Sequence, residues 1–527
     1  MSEESSRENL MRTLGDIPRK GAKLHAGKEA IVYEGVRLTY ALFDFRINRL
    51  ANALLGLGCR KSERIAILSE NCHQFLEVYF AAAKAGLVVV PLNFRLRQNE
   101  IVQIVSDSEP TVFFVGPGYE DVAVAIKPFS PSIRTWVTFD GLPHSSSLHC
   151  YEDLIRGASD ADPLVPVDEN ELAILMYTGG TTGLAKGVML SHRNLLSLTL
   201  EAILKLQFSQ DDTTCFLLPL FHVFFWPALC CLAVGGRVVI LRRPEVEAVL
   251  QHIQDEKCTH VNAVPTLYNW LLDCPQIERF DLSSLRLVTY AGSPMPVEVL
   301  RRCIGKFGNI LAQAYGLTEA APVSFLMPGE HVPNGPRSRL LSSAGREGLT
   351  VEIRIVDDNG SPVSNGEVGE VTVRGANVML GYWKNEQLTR EKLRDGWLHT
   401  GDVGRLDAEG YLYLVDRKAD MIITGGENVY PKETEDVLYQ HPAVRECALV
   451  SAPDARWGER VQAVVVLRND ASATEEELIS FCKSRLAGYK CPKKVVFQNT
   501  LPKSAVGKIL RREIKKEFWK EKERSIG

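Results

Sequence analysis

The sequence predicts an α/β protein. It has a large N-terminal domain of parallel-rich sheets with covering helices plus an antiparallel subdomain, and a small α+β C-terminal domain. Three observations carry this. The chain has 527 residues, and a single hydrophobic core stops growing at roughly 250–300. From residue 60 to residue 330, short β-branched runs alternate with helical patterns, the signature of parallel strands covered on both faces. After Gly345 the apolar runs alternate with polar residues, as half-buried antiparallel strands do.

The elements follow in order. RIAILSEN from Arg64 reads as a strand, the stretch to Gly86 as a helix, and GLVVVPLN from Gly86 as a second strand. Further strands are TVFFV at Thr111, ELAILMYT at Glu171, CFLLPL at Cys215, RVVIL at Arg237, THVNAVP at Thr259, LRLVTYAG at Leu285 and ILAQAYG at Ile310. VEIRIVD, EVTVRG and YLYLVDR make up the antiparallel region, with a turn at Asp358-Asn359-Gly360. From about Lys418 a compact α+β pattern fills the remaining chain, within normal domain size. We divide the chain into residues 1–416 and 417–527.

Composition narrows the function. With 61 basic and 65 acidic residues the net charge is −4, and dedicated nucleic-acid binders are usually strongly basic. The twelve cysteines contain no CxxC pair, which points to buried reduced thiols in a cytoplasmic protein rather than a disulfide or zinc framework. Cys215 to Gly236 holds 22 residues without Asp, Glu, Lys or Arg, long enough to span a bilayer. Pro219, Pro227 and Gly235-Gly236 divide it, so we read strand, loop, buried helix, strand. Lys503 to Arg524 carries nine Lys/Arg and four Glu. That pattern reads as a solvated helix face, with peripheral membrane contact as the minor alternative.

The chemistry is concentrated in TGGTTGLAKG, Thr178 to Gly187, between a strand and a helix that Ser191 can cap. Its four glycines let main-chain N–H groups approach an anion. Thr178, Thr181 and Thr182 add hydroxyls, and Lys186 adds charge, so the loop suits a polyphosphate. It is not a Walker loop, because Lys186 is followed by glycine rather than Ser or Thr.

This loop resembles that of the adenylate-forming superfamily of acyl-CoA synthetases, aryl-CoA ligases, firefly-type luciferases and peptide-synthetase adenylation domains. AQAYGLTEAAP from Ala312, GWLHTGDVGRLDAEGYLYLVDRKADMI from Gly396, TGGENVYPKE from Thr424 and LPKSAVGKILRRE from Leu501 match further motifs in the right order. The resemblance, which spans about residues 25–515, is closest to a fatty acyl-CoA ligase. It implies attack of a carboxylate on the α-phosphate of ATP, release of pyrophosphate, and acyl transfer to CoA. Transfer to a carrier-protein thiol is an alternative.

The resemblance assigns roles. Thr178, Gly179, Gly180, Thr181, Thr182 and Lys186 hold the β- and γ-phosphates. Thr318 meets the α-phosphate, and Glu319 binds Mg²⁺. Tyr315 and Ala291-Gly292-Ser293 hold adenine, while Asp402 and Arg417 reach the ribose. Lys508 is the adenylation lysine of a mobile C-terminal domain, whose pivot is Lys418, Ala419 or Asp420. Gly425 and Gly426 flank the pantetheine arm, and His222 gates the carboxylate.

The segments expected to line the acyl pocket, Pro219 to Pro227, Val288 to Gly292 and Ala314 to Val323, contain no Lys or Arg. A second substrate carboxylate would be buried without a partner. Phe221, Phe224, Phe225 and Trp226 make the lining apolar, and Gly316 leaves it open where acetate-specific relatives carry tryptophan. A medium- or long-chain fatty acid is expected. A benzoate- or cinnamate-like acid is the alternative, since Phe and Trp also stack on rings.

Overall fold

The computed structural model describes residues 10–140, 148–178, 185–417, 420–424, 427–454, 456–469, 471–504 and 507–523. Two large sheets form the N-terminal body. One has nine strands, ordered Arg346–Glu347, Ala320–Leu326, Leu311–Leu317, Leu287–Ala291, His260–Ala263, Thr213–Phe216, Arg237–Ile240, Glu29–Tyr33 and Val36–Thr39. Its centre is parallel, with Val261 opposite Val288 and Thr289 opposite Ala312. The other has eight strands, with Val88–Leu92, Arg64–Leu68 and Val112–Val115 in a parallel centre and the hairpin Leu172–Thr178/Lys186–Ser191 toward one edge.

The expected β-branched runs form these strands because both faces are buried. Helix His73–Ala85 is buried almost throughout and joins two parallel strands, ending at Gly86 in the left-handed conformation. One continuous apolar core runs through both sheets. The apolar segment around Pro219 resolves as strand Thr213–Phe216, a short 3₁₀ turn at Val223–Phe225, helix Trp226–Ala233 and strand Arg237–Ile240. Among the described residues no helix is long and apolar enough to cross a membrane. All twelve cysteines are free thiols, and all but Cys150 are buried. Ser191 caps helix His192–Leu206, accepting from the Asn194 N–H at 3.1 Å.

A five-stranded sheet contains Val351–Val356, Gly369–Gly375, Trp397–Leu406 and Leu412–Arg417, antiparallel throughout. Its last strand ends at Arg417. A further five-stranded sheet then begins at Ile422. Strand Val444–Asp454 shows its alternation directly. Cys447 and Leu449 pack with Val437 and Leu478 on one face. Ala448 and Val450 pack with Ile514 on the other, as a two-residue period requires. The basic tail forms helix Arg511–Glu523, and Trp519 donates its indole N–H to the Ser451 carbonyl at 3.0 Å.

Candidate functional site

The nucleotide motifs come from the first, second and third sheets. Strand Leu311–Leu317 turns into Ala320–Leu326 through Thr318 and Glu319, with Leu317 and Ala320 paired. This two-residue turn holds Thr318 buried and Glu319 half-buried at its tip. The Glu319 carboxylate accepts from the Tyr382 hydroxyl at 2.8 Å. Tyr382 sits on the short strand Gly381–Tyr382, which pairs with Lys186–Ser191. The Lys186 ammonium lies 5.9 Å from the centre of the Tyr382 ring, and Lys186 opposes Thr178 in the hairpin register. The fold therefore connects Thr178, Lys186, Tyr382 and Glu319 at one place. Gly179, Gly180, Thr181 and Thr182 lie outside the described residues.

A second group stands beside it. Asp402 is buried, accepts from the Tyr315 hydroxyl at 2.7 Å and lies 3.3 Å from Arg417 Nε. Burial and the adjacent Asp402 carboxylate push the Tyr315 hydroxyl well above its ordinary pKa, so it stays a donor. Asp402 and Arg417 are also direct partners across two antiparallel strands. A carboxylate with two oxygens already oriented by an O–H and a guanidinium is prepared to accept a diol.

Lys508 comes to these groups from the C-terminal part of the chain. It sits on a tight turn in which Ser504 N–H donates to the Lys508 carbonyl at 2.7 Å and Lys508 N–H donates to Ser504 Oγ at 3.1 Å. The side chain reaches the end of strand Leu287–Ala291. Gly292 has φ +87°, and a Cβ there would lie 2.5 Å from the Phe224 ring and 3.0 Å from Lys508 Cε. Glycine is required by both the turn and the approach of Lys508. Ser293 follows, half-buried. The ammonium lies 5.6 Å from the Phe224 ring centre, in cation–π range. Burial, with help from the Arg417 charge, lowers the Lys508 pKa to about 8, against the pull of Asp402 and Glu319.

His222 also packs against Phe224, with ring centres 4.6 Å apart. Its Nδ1 accepts from the Phe224 N–H at 3.3 Å, which leaves Nε2 carrying the proton. Burial and then the Lys508 charge lower its pKa to about 3. The imidazole is therefore neutral at neutral pH.

Gly316 has a local explanation that the sequence did not suggest. A Cβ there would lie 2.9 Å from Ala321 Cα and 3.0 Å from the Ala320 carbonyl oxygen. The paired strand of the hairpin crowds this position, so glycine has a packing reason here beside the open pocket. Gly425, Gly426 and two pivot candidates, Lys418 and Ala419, lie outside the described residues. Asp420 donates its N–H to the Arg417 carbonyl at 3.0 Å and lies 3.5 Å from Arg511. No sequence motif pointed to Tyr382. Its only signal was the Gly-Tyr-Trp run at Gly381, too short to mark a strand.

Known proteins resemble this arrangement. The profile of the AMP-binding enzyme family matches residues 19–383, and that of the AMP-binding enzyme C-terminal domain matches residues 433–508. A feruloyl-CoA synthase from Amycolatopsis sp is 37% identical over 507 residues, covering 96% of this chain and 99% of that protein. A long-chain-fatty-acid–CoA ligase from Escherichia coli O157:H7 is 35% identical over 547 residues, covering 96% and 94%. The structure of the anthranilate CoA ligase AuaEII in complex with anthranoyl-AMP aligns with a TM-score of 0.90 at 28% identity, over 98% of this chain and 99% of that one.

Proposed function

The chain belongs to the AMP-binding, adenylate-forming enzymes and is an acid–thiol ligase, and we propose that it joins an apolar monocarboxylic acid to CoA at the cluster around Lys508. The preferred acid in this reading is a medium- or long-chain fatty acid. The observation that carries it is the meeting of Lys508, Phe224 and Gly292 beside Asp402 and Glu319.

In this reading a carboxylate oxygen attacks the α-phosphorus of ATP, and pyrophosphate leaves. Lys508 bridges the carboxylate and the α-phosphate, where negative charge concentrates. Preorganised charge at that point is the largest available contribution to such a step. Thr318 donates to the α-phosphate. Thr178 and Lys186, with Gly179, Gly180, Thr181 and Thr182, hold the outer phosphates. Asp402 and Arg417 bind the ribose, and Tyr315 with Ala291, Gly292 and Ser293 encloses adenine. Neutral His222 donates to the substrate carboxylate.

Glu319 suits Mg²⁺. It is one hard oxygen donor, and the described residues contain no cluster of three metal-binding side chains. A lone carboxylate completed by phosphate oxygens is how Mg²⁺ is commonly held. The ion would neutralise phosphate charge there.

The second half-reaction is attack of the CoA thiol on the acyl carbonyl, with AMP leaving. Here the C-terminal part beyond Arg417 rotates as a unit about the segment that follows Arg417. Lys508 withdraws, and Gly425 and Gly426 flank the pantetheine arm. A separate sheet with its own apolar core supports such a body.

An aryl or arylpropenoic acid is the second reading. Phe224 favours it, because its ring lies between His222, Gly292 and Lys508, where the acid's first atoms must pass. The 37% identity to a feruloyl-CoA synthase also supports it. The test is AMP release with Mg-ATP across saturated acids from acetate to stearate, plus benzoate, cinnamate and ferulate, each with and without CoA. A CoA-dependent maximum among aliphatic acids supports the first reading, and a maximum on an aromatic acid replaces it with the second. Pyrophosphate release without CoA-dependent turnover would contradict CoA as acceptor.

A further inference from the structure

We infer that one face of the helix Pro265–Leu272, together with Arg95, is the dock that poses Lys508 for adenylation, and that Thr266 is its chief positioning residue. The inference rests on the proposed adenylation role of Lys508.

The helix starts at Pro265 and projects Thr266, Asn269, Trp270 and, one residue past its end, Asp273. Spacings of three and four place these side chains along one face. Each meets the C-terminal part of the chain. Thr266 Oγ1 donates to the Gly507 carbonyl at 3.0 Å. Asn269 Nδ2 reaches the Arg445 carbonyl at 3.5 Å. The Trp270 ring centre is 5.1 Å from the Lys503 ammonium. Asp273 lies 3.5 Å from Arg468. From the loop after strand Val88–Leu92, Arg95 Nη1 donates to the Ser504 carbonyl at 3.3 Å.

Two of these contacts grip the lysine turn itself. Ser504 is hydrogen-bonded to Lys508 through both its N–H and its hydroxyl, and Gly507 is the residue before Lys508. Gly507 has φ +83°, and a Cβ there would lie 3.0 Å from Val264 Cγ2. The turn thus carries glycine at its point of approach to the first turn of the helix. Moving the Gly507 carbonyl moves the Lys508 Cα. Thr266 therefore acts through Lys508, and among the described residues its side chain has no bond to the motif residues that hold the nucleotide. Once the C-terminal part rotates away, Thr266 has no role in the thioester step.

The test compares Thr266→Val, which keeps the shape and removes the donor, with Thr266→Ser, which keeps the donor. Laurate and ferulate serve as acids, and each variant is assayed for acid-dependent ATP–pyrophosphate exchange and for CoA ester formation from the supplied acyl-adenylate. Thr266→Val should lower exchange about 5- to 10-fold, the range expected for one lost hydrogen bond, and leave ester formation unchanged. Thr266→Ser should restore exchange. Thr266→Val added to Lys508→Ala should lower exchange no further than Lys508→Ala alone. Arg95→Ala, at an exposed site, should show the same split with a smaller loss and serves if Thr266→Val fails to fold. Equal loss in both half-reactions, unchanged exchange, or an additive penalty on Lys508→Ala would each overturn the docking role. If Lys508→Ala itself retains exchange, the role assigned to Lys508 is what fails, and the dock has no reaction to serve.

Discussion

Two regions of the molecule take charge out of water, and they do so differently. In the N-terminal body, Glu77 is fully buried and meets His73 Nδ1 at 2.8 Å, Arg46 Nε at 2.9 Å and the Tyr151 hydroxyl at 2.5 Å. The buried Lys84 ammonium donates to Asp44 at 2.8 Å, Asn48 at 2.6 Å and Asp162 at 2.9 Å. Both charges are surrounded by partners from one packed body. At the nucleotide site, among the described residues, Lys508 has no ion pair and the Glu319 carboxylate takes one hydrogen bond, from Tyr382. A saturated network holds shape, whereas a group left with unused capacity can take a ligand.

The pKa directions agree with this contrast. Burial opposes the charge of Glu77, but His73 and Arg46 overcome it and hold the carboxyl at about 2. For Lys508 burial prevails, and the ammonium weakens to about 8.

The structural network should show the largest effect. Glu77→Ala should destabilise the protein by about 3–5 kcal/mol, because Arg46 is left buried against fewer partners. Chemical denaturation reads this directly, and the protein that remains folded should keep its ATP–pyrophosphate exchange. The same contact gives an acid dependence. A carboxyl lowered from 4.5 to about 2 contributes stability that is complete above its unfolded value. That contribution is lost as pH falls through the folded value, so wild type should lose more stability than Glu77→Gln between pH 4.5 and pH 2.

From the site side the expected effects are smaller. Tyr315→Phe removes one donor from Asp402 and should raise the KM for ATP by about 3- to 10-fold, with little change in melting temperature. Steady-state kinetics at saturating acid measure this. Least in size is the alkaline limb of exchange. Lys508 must be charged to bridge two anions, so kcat/KM for adenylation should fall as pH rises through about 8. No limb from His222 should appear near neutrality, because its pKa is held at about 3.

Parts of this were legible before any coordinates. ELAILMYT and RVVIL are continuous apolar runs because both their faces are covered, and both form strands. The end of the glycine-rich loop, Lys186 and Gly187, opens the strand Lys186–Ser191, which tertiary pairing imposes and local composition masks. Asp402, Glu319 and Lys508 stood out through their motifs. Tyr382 did not, since its bond to Glu319 spans 63 residues. Thr266 reaches a carbonyl 241 positions away, and no local pattern marks such a contact. Gly316 shows the converse, a residue whose local duty in a hairpin resembles a specificity signal when only the sequence is read.

The central claim is that the cluster around Lys508 performs adenylation and only that step. Lys508→Ala, assayed separately for acid-dependent ATP–pyrophosphate exchange and for CoA ester formation from supplied acyl-adenylate, tests it most directly. Exchange should fall about 100-fold or more, with ester formation near the wild-type rate and folding unaffected. Retained exchange, or a loss of ester formation as large as the loss of exchange, would contradict it.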